Sequence, residues 1–130
     1  MIAFCVNVTG QENNLIGFKI TAVNLGITTP ARVSCIDFEN SFSTNSYDTM
    51  VVVNQKQVSA LEGILKRSQI AKANSREINV RAKIYLNYGQ PNTQRVLCVD
   101  KFYDISLDGK LLNKNKGLIN FLKTYLKRFE

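Results

Sequence analysis

The feature that most constrains the fold is a long alternation of apolar and polar residues over Arg76–Tyr88. One side of this run consists of Ile78, Val80, Ala82, Ile84, Leu86 and Tyr88, and the other of Glu77, Asn79, Arg81, Lys83, Tyr85 and Asn87. A period of two residues is that of a β-strand with one buried face. The run therefore predicts a strand in the middle of a sheet, with an apolar face and a basic, partly aromatic face.

Further strand signals predict an antiparallel sheet around this run. The additional predicted strands are Ile2–Val8 and Ile16–Ala22 as a hairpin, Arg32–Phe38, Thr49–Val53 and Arg95–Val99. The apolar run Thr49–Val53 predicts a strand buried on both faces. Asp108-Gly109, flanked by 105–107 and 110–112, is typical of a type I′ hairpin. The polar segment Glu39–Asp48 is expected to be the longest exposed loop.

Two amphipathic helices are predicted, each introduced by an asparagine that can cap it. The first begins after Asn54, has an apolar face that includes Val58, Leu61 and Ile64, and is expected to end near 72–74. The second follows Asn113 or Asn115. Its apolar face comprises Leu118, Phe121, Leu122, Tyr125, Leu126 and Phe129.

The order of these elements, β-β-β-β-α-β-β-β-α, is neither the regular alternation of a doubly wound sheet nor an all-β pattern. It predicts an α+β fold with a mostly antiparallel β-sheet and two helices packed on one face. The chain has 130 residues, and neither a linker nor an internal repeat divides it. We therefore expect a single α+β domain over residues 1–130.

Positive charge is concentrated in the second part of the chain. Met1–Val53 contains two bases, Lys19 and Arg32, against four acids, so its net charge is −2. Because the whole chain carries +7, Asn54–Glu130 carries +9. Such asymmetry predicts a polarised surface and hence a binding partner.

The three cysteines, Cys5, Cys35 and Cys98, are far apart and form no Cys-x-x-Cys pair. Their odd number predicts free, buried thiols in a reducing compartment, with a reactive thiol or a single disulfide as the alternatives. No segment is typical of a signal peptide or a membrane span. The sequence thus predicts a cytoplasmic protein without membrane contact, unless a leader has been removed.

Catalytic and cofactor signals are weak. The chain has no histidine and no Gly-x-Gly pair, which excludes Ser–His or Cys–His catalysis and a glycine-rich phosphate loop. Asp100, Asp104 and Asp108 recur every four residues, and one interpretation of this spacing is a site for a divalent metal ion. Strand and turn signals there favour solvent-facing acids and turn formation instead. We therefore predict no metal, no cofactor and no catalytic residue.

Candidate binding residues fall into two groups. Arg81, Lys83 and Tyr85 share the polar face of the long strand, next to Arg95 on its predicted neighbour. Lys116, Lys123 and Lys127 lie within about 60° of arc on the last helix. Either group could instead be an ordinary solvated face.

The leading hypothesis is a small non-enzymatic binding module that recognises an acidic protein partner through the basic sheet face. The alternative is a nucleic-acid-binding protein that uses the same patch and the C-terminal lysine-rich helix. A third is an enzyme without histidine, with carboxylates and Tyr or Lys in a cleft. The oligomeric state and the partner's identity stay open.

Overall fold

The computed structural model describes residues 14–72, 77–89 and 93–130, and its central strand is the one the alternation predicts. This strand, β3, spans Val80–Tyr88. Ala82, Ile84 and Leu86 are buried in the main core, as their spacing indicates. The predicted strand Ile2–Val8 and its hairpin pairing lie outside the described residues.

The sheet has six strands in the order β2-β1-β3-β4-β5-β6, and every neighbouring pair is antiparallel. The remaining strands are β1 (Leu15–Ala22), β2 (Asp48–Val52), β4 (Gln94–Asp100), β5 (Ile105–Leu107) and β6 (Lys110–Leu111). Four strands follow the first helix where the predicted order has three, because the predicted Asp108-Gly109 hairpin supplies two of them. The α+β class and the antiparallel sheet are confirmed.

Both helices lie on one face of the sheet, as predicted. They are α1 (Gln55–Lys66) and α2 (Lys116–Leu126). Leu61 of α1 and Leu122 of α2 are fully buried in the same cluster as Phe18 and Ile84 of the sheet. Phe18 also packs edge-on against Tyr125, with ring centroids 5.7 Å apart. Burial of these side chains, each worth about 1.5–3 kcal/mol, holds the helices on the sheet.

Asparagine caps both helices. The side chain of Asn54 accepts a hydrogen bond from the backbone N–H of Gln57, and that of Asn115 accepts one from Leu118. The predicted end of α1 near 72–74 is wrong, because the helix ends at Lys66. Beyond it, Ile70 bridges Leu112. The chain there extends the edge of the sheet, and this pairing replaces the last predicted helical turn.

The Asp108-Gly109 hairpin is confirmed. It joins β5 to β6, and its two central residues have φ values of +49° and +86°. Positive φ at both positions is the requirement of a type I′ turn, and glycine meets it without steric cost.

The expected burial of Thr49–Val53 on both faces is wrong. The strand β2 is the edge of the described sheet, and only one of its faces packs on the core. Val52 points into the core, whereas Val51 and Val53 are 66% and 71% exposed. A continuous apolar run does not by itself distinguish a buried strand from an edge strand.

The predicted strand Arg32–Phe38 is wrong. Here the Ser34 hydroxyl accepts from the backbone N–H of Asp37 and donates to its carboxylate, and a 3₁₀ turn follows at Phe38–Asn40. Such side-chain bonds favour a turn over an extended ladder. Residues 23–47, here called the strap, connect β1 to β2. From Ile27 onward they cover the sheet face opposite the helices, where the carbonyls of Ile27 and Cys35 accept hydrogen bonds from Arg81 and Lys83.

The expected exposed loop over Glu39–Asp48 is largely confirmed, because all of its residues except Phe42 and Tyr47 are exposed. These two rings belong to a small core between the strap and the sheet. Phe38 is fully buried, and the rings of Phe42 and Tyr47 pack edge-on against it at centroid distances of 5.7 and 5.4 Å. The Tyr47 hydroxyl donates to the Phe38 carbonyl. These contacts fix the middle of the strap in place.

A disulfide joins the strap to the sheet. Cys35 of the strap is bonded to Cys98 of β4, with Cα atoms 5.9 Å apart. The prediction of three free thiols is therefore wrong for this pair, while Cys5 lies outside the described residues. Spacing did not reveal the bond because the two cysteines are 63 residues apart in sequence.

Neither described helix has the length and apolar character needed to cross a bilayer.

Candidate functional site

The sheet face predicted to bind a partner is covered by the strap. Arg81 is only 3% exposed and Lys83 only 7%. The expectation that these two cations form an open basic surface is therefore wrong. The alternation identified the face correctly, but it could not show that a distant segment packs over it.

Each of these cations is held by groups of the strap. Lys83 donates to the carbonyl of Cys35 at 2.8 Å and forms an ion pair with Glu39 at 2.9 Å. The hydroxyl of half-buried Tyr85 donates to the other carboxylate oxygen of Glu39. Because buried charge is costly unless it is paired, this cluster favours a structural role for Lys83.

Arg81 is bonded more extensively than Lys83. Its guanidinium donates to the carbonyls of Ile27 and Val80, to the hydroxyl of Thr29 and to the amide oxygen of Asn79, at 2.8–3.2 Å. Burial lowers the pKa of Arg81, and the nearby charge of Asp100 opposes that shift. The group still carries its charge at neutral pH, as arginine does throughout proteins.

Arg95, the fourth predicted residue of the patch, lies at the surface. Its Nε donates to Asp108 at 2.7 Å, and the second oxygen of that carboxylate accepts from the backbone N–H of Val96. An exposed pair of this kind contributes little to stability, at most about 1 kcal/mol. Arg95 pairs with Leu86 of β3 and therefore lies on the helix side of the sheet. Its expected place in one patch with Arg81, Lys83 and Tyr85 is wrong, because those residues face the strap.

Two of the three aspartates considered as metal ligands, Asp100 and Asp108, have structural roles. Asp108 lies in the hairpin turn, and Asp100 accepts from the backbone N–H groups of Phe102 and Asp104. Asp100 is buried, contrary to the expectation of a solvent-facing acid. Within the described ranges, no group of three potential ligands could hold a metal ion.

The lysines of the last helix are exposed, in agreement with their predicted face. Lys116 and Lys123 lie on α2, and Lys127 begins the 3₁₀ turn that follows. Lys123 is over the ring of Tyr103 at 5.1 Å. Burial and a hydrogen bond to Glu130 raise the pKa of Tyr103, so its hydroxyl remains protonated at neutral pH.

A basic cleft lies where the C-terminal end of α1 meets the N-terminal end of α2. It has a volume of about 360 Å³. The residues that line it are Arg67, Ser68, Gln69, Asn113, Lys114, Asn115 and Lys116. Of the seven predicted binding residues, only Lys116 belongs to it. Arg67 was missed because it lies far from the helix lysines in sequence.

The two walls of the basic cleft are joined by hydrogen bonds. The backbone N–H of Asn113 donates to the carbonyl of Gln69 at 2.8 Å, and the Asn115 amide donates to the Ser68 hydroxyl at 3.1 Å. These bonds fix the two chain segments that carry the cations of the cleft relative to each other. The arrangement suits recognition of an anionic surface.

No family model, curated protein or solved structure matches this chain.

Proposed function

We propose that this protein is a small non-enzymatic binding module that recognises an acidic protein partner through the basic cleft. The observation that carries the proposal is that Arg67, Lys114 and Lys116 line one cleft between the two helices. The proposal keeps the partner class inferred from the sequence. It moves the binding surface from the sheet to the helix junction.

The cations of the cleft are available to a partner. Arg67 and Lys116 are exposed and have no carboxylate within ion-pair distance among the described residues, and Lys114 has only a long contact of 3.4 Å with Asp104. By contrast, Lys83 and Arg95 of the predicted sheet patch are already paired. Free, clustered charge favours rapid encounter with an oppositely charged partner.

The lining of the cleft favours a protein over a single-stranded nucleic acid. Proteins that bind single strands stack bases on aromatic side chains, and no aromatic residue lines this cleft. The Cys35–Cys98 disulfide supports the same choice, because disulfides persist in oxidising compartments. We therefore propose an oxidising compartment in place of the cytoplasm predicted from the sequence.

The non-enzymatic part of the proposal rests on composition. The chain has no histidine, the side chain most often used for proton transfer near neutral pH. Glu39 of the strap bonds to buried Lys83 and half-buried Tyr85 of the sheet. This arrangement supports a stabilising role for the cluster.

Charge reversal in the basic cleft tests the proposed function. The double variant Arg67→Glu, Lys116→Glu is expected to weaken binding of a fluorescently labelled oligoglutamate peptide about tenfold, since each exposed contact contributes up to about 1 kcal/mol. Fluorescence anisotropy at low and physiological salt measures the change. The wild-type affinity should fall as salt rises.

The matched control is Lys56→Glu on the first turn of α1, compared with the single cleft variant Arg67→Glu, so that both variants make the same change of charge. Lys56 lies about 16 Å from Arg67 along the helix axis, and its substitution should leave the affinity nearly unchanged. Equal weakening by the control and by the cleft variant would contradict the proposal. Tighter binding of a single-stranded oligonucleotide than of the peptide would favour the nucleic-acid alternative.

A further inference from the structure

A second groove, separate from the basic cleft, has the buried guanidinium of Arg81 in its lining. Its volume is about 190 Å³, a size that suits one side chain or one small molecule. Its lining includes Thr29, Asn79, Arg81, Asp100, Lys101 and Phe102. The groove is formed by the start of the strap, the entry to β3 and the turn after β4.

The geometry points to this Arg81 groove as a binding site for a single carboxylate group attached to a flat apolar group. This inference does not depend on the proposed function. It would assign a ligand site to a residue that otherwise only anchors the strap.

Arg81 is charged and buried, yet no carboxylate among the described residues lies within ion-pair distance of it. Its bonds go to neutral oxygens, and these use four of its five N–H donors. The second Nη2–H has no acceptor in the described part of the chain. A guanidinium fixed in this way and only 3% exposed is preorganised for an oxygen anion.

The guanidinium is fixed from several directions. The same oxygen of Asn79 that accepts from Arg81 also accepts from the backbone N–H of Val33, at 2.7 Å. The ring of Phe42 lies 5.8 Å from the guanidinium carbon. An anion entering the groove would therefore meet a donor whose orientation is already set, with little ordering of the protein required.

The charges of the groove favour a monoanion. Arg81 and Lys101 contribute two positive charges, and the buried carboxylate of Asp100 contributes one negative charge. Asp100 is directed to its own turn, since it accepts from the backbone of Phe102 and Asp104. A net charge of about +1 suits a carboxylate better than a phosphate dianion.

The apolar part of the ligand is inferred from Phe102. This ring is 68% exposed at the groove, although most large apolar side chains among the described residues are buried. Lys101 lies 5.0 Å from the ring centroid. An exposed aromatic ring beside a cation can stack on a flat group while the cation attracts its carboxylate.

The test uses sodium benzoate as the probe and benzamide as a neutral probe of the same shape. In ¹⁵N-labelled oxidised protein, the Nε–H of Arg81 should give an observable resonance, because burial and its bond to the Ile27 carbonyl slow its exchange. Benzoate is expected to shift this resonance and the Phe102 amide in a saturable way. Benzamide is expected to leave them unchanged.

Two variants at exposed side chains test the site without disturbing the fold. Phe102→Ala is expected to weaken benzoate binding about fivefold through loss of stacking. Ile36→Ala, a truncation at a residue that is 85% exposed and does not line this groove, should not change the affinity. Absence of any saturable shift, equal shifts with benzamide, or tighter binding of inorganic phosphate would each overturn the inference.

Discussion

Replacing Cys35 and Cys98 together by alanine is expected to lower the free energy of unfolding by about 4 kcal/mol. The bond closes a loop that spans 63 residues of sequence separation, so it removes much of the freedom of the unfolded chain. It also ties the strap to β4 over the buried cations. Urea denaturation of the oxidised wild type and of the double variant measures the difference.

Reduction provides the internal control for this experiment. A dithiol reductant should destabilise the wild type to the level of the double variant and leave the double variant itself unchanged. A reductant effect on the double variant, or equal stability of the two oxidised proteins, would show that the disulfide does not hold the strap.

Arg81→Met is expected to have the second largest effect, a loss of about 3 kcal/mol of unfolding free energy. The substitution keeps an apolar stem but removes every donor to the strap. The carbonyl of Ile27 and the hydroxyl of Thr29 lose their bonds to the guanidinium. Urea denaturation again gives the change.

Arg95→Met is the matched control, because it makes the same substitution at an exposed arginine of the next strand. Its single ion pair with Asp108 predicts a loss below about 1 kcal/mol. A similar loss for both variants would contradict the buried, strap-anchoring role of Arg81.

The sequence was most informative where local signals coincide with the tertiary environment. The alternation around Ile84 gives the central strand, Asn54 and Asn115 give the helix starts, and Asp108-Gly109 gives the hairpin. Each of these signals acts over a few residues. The backbone geometry that it requires is therefore encoded within the segment itself.

Contacts between distant segments could not be read from the same patterns. Lys83 and Arg81 have the spacing of solvent-facing residues, but Glu39 and the Ile27 carbonyl, far away in sequence, complete their environment. A strand whose polar face is covered by another polar segment has the same alternation of apolar and polar residues as a strand whose polar face is in water. Local periodicity therefore identified the polar face of β3, but it could not show that the strap packs over that face.

The basic cleft was only partly predictable for a related reason. The lysine stripe on α2 follows from helical periodicity, so Lys116 was identified. The contribution of Arg67 depends on how the end of α1 packs beside the start of α2. That packing is fixed by long-range pairing, such as the Asn113–Gln69 backbone bond, which spacing does not indicate.

The central claim is that the strap covers the basic sheet face, so that Lys83 is buried, whereas the lysines of the last helix are exposed. Acetylation of the oxidised native protein with an amine-reactive ester, read by peptide mass spectrometry, tests it most directly. We predict that Lys83, whose side chain is 9% exposed, stays largely unmodified while Lys116 and Lys123 react quickly. Modification of Lys83 at the rate of Lys116 would contradict the account.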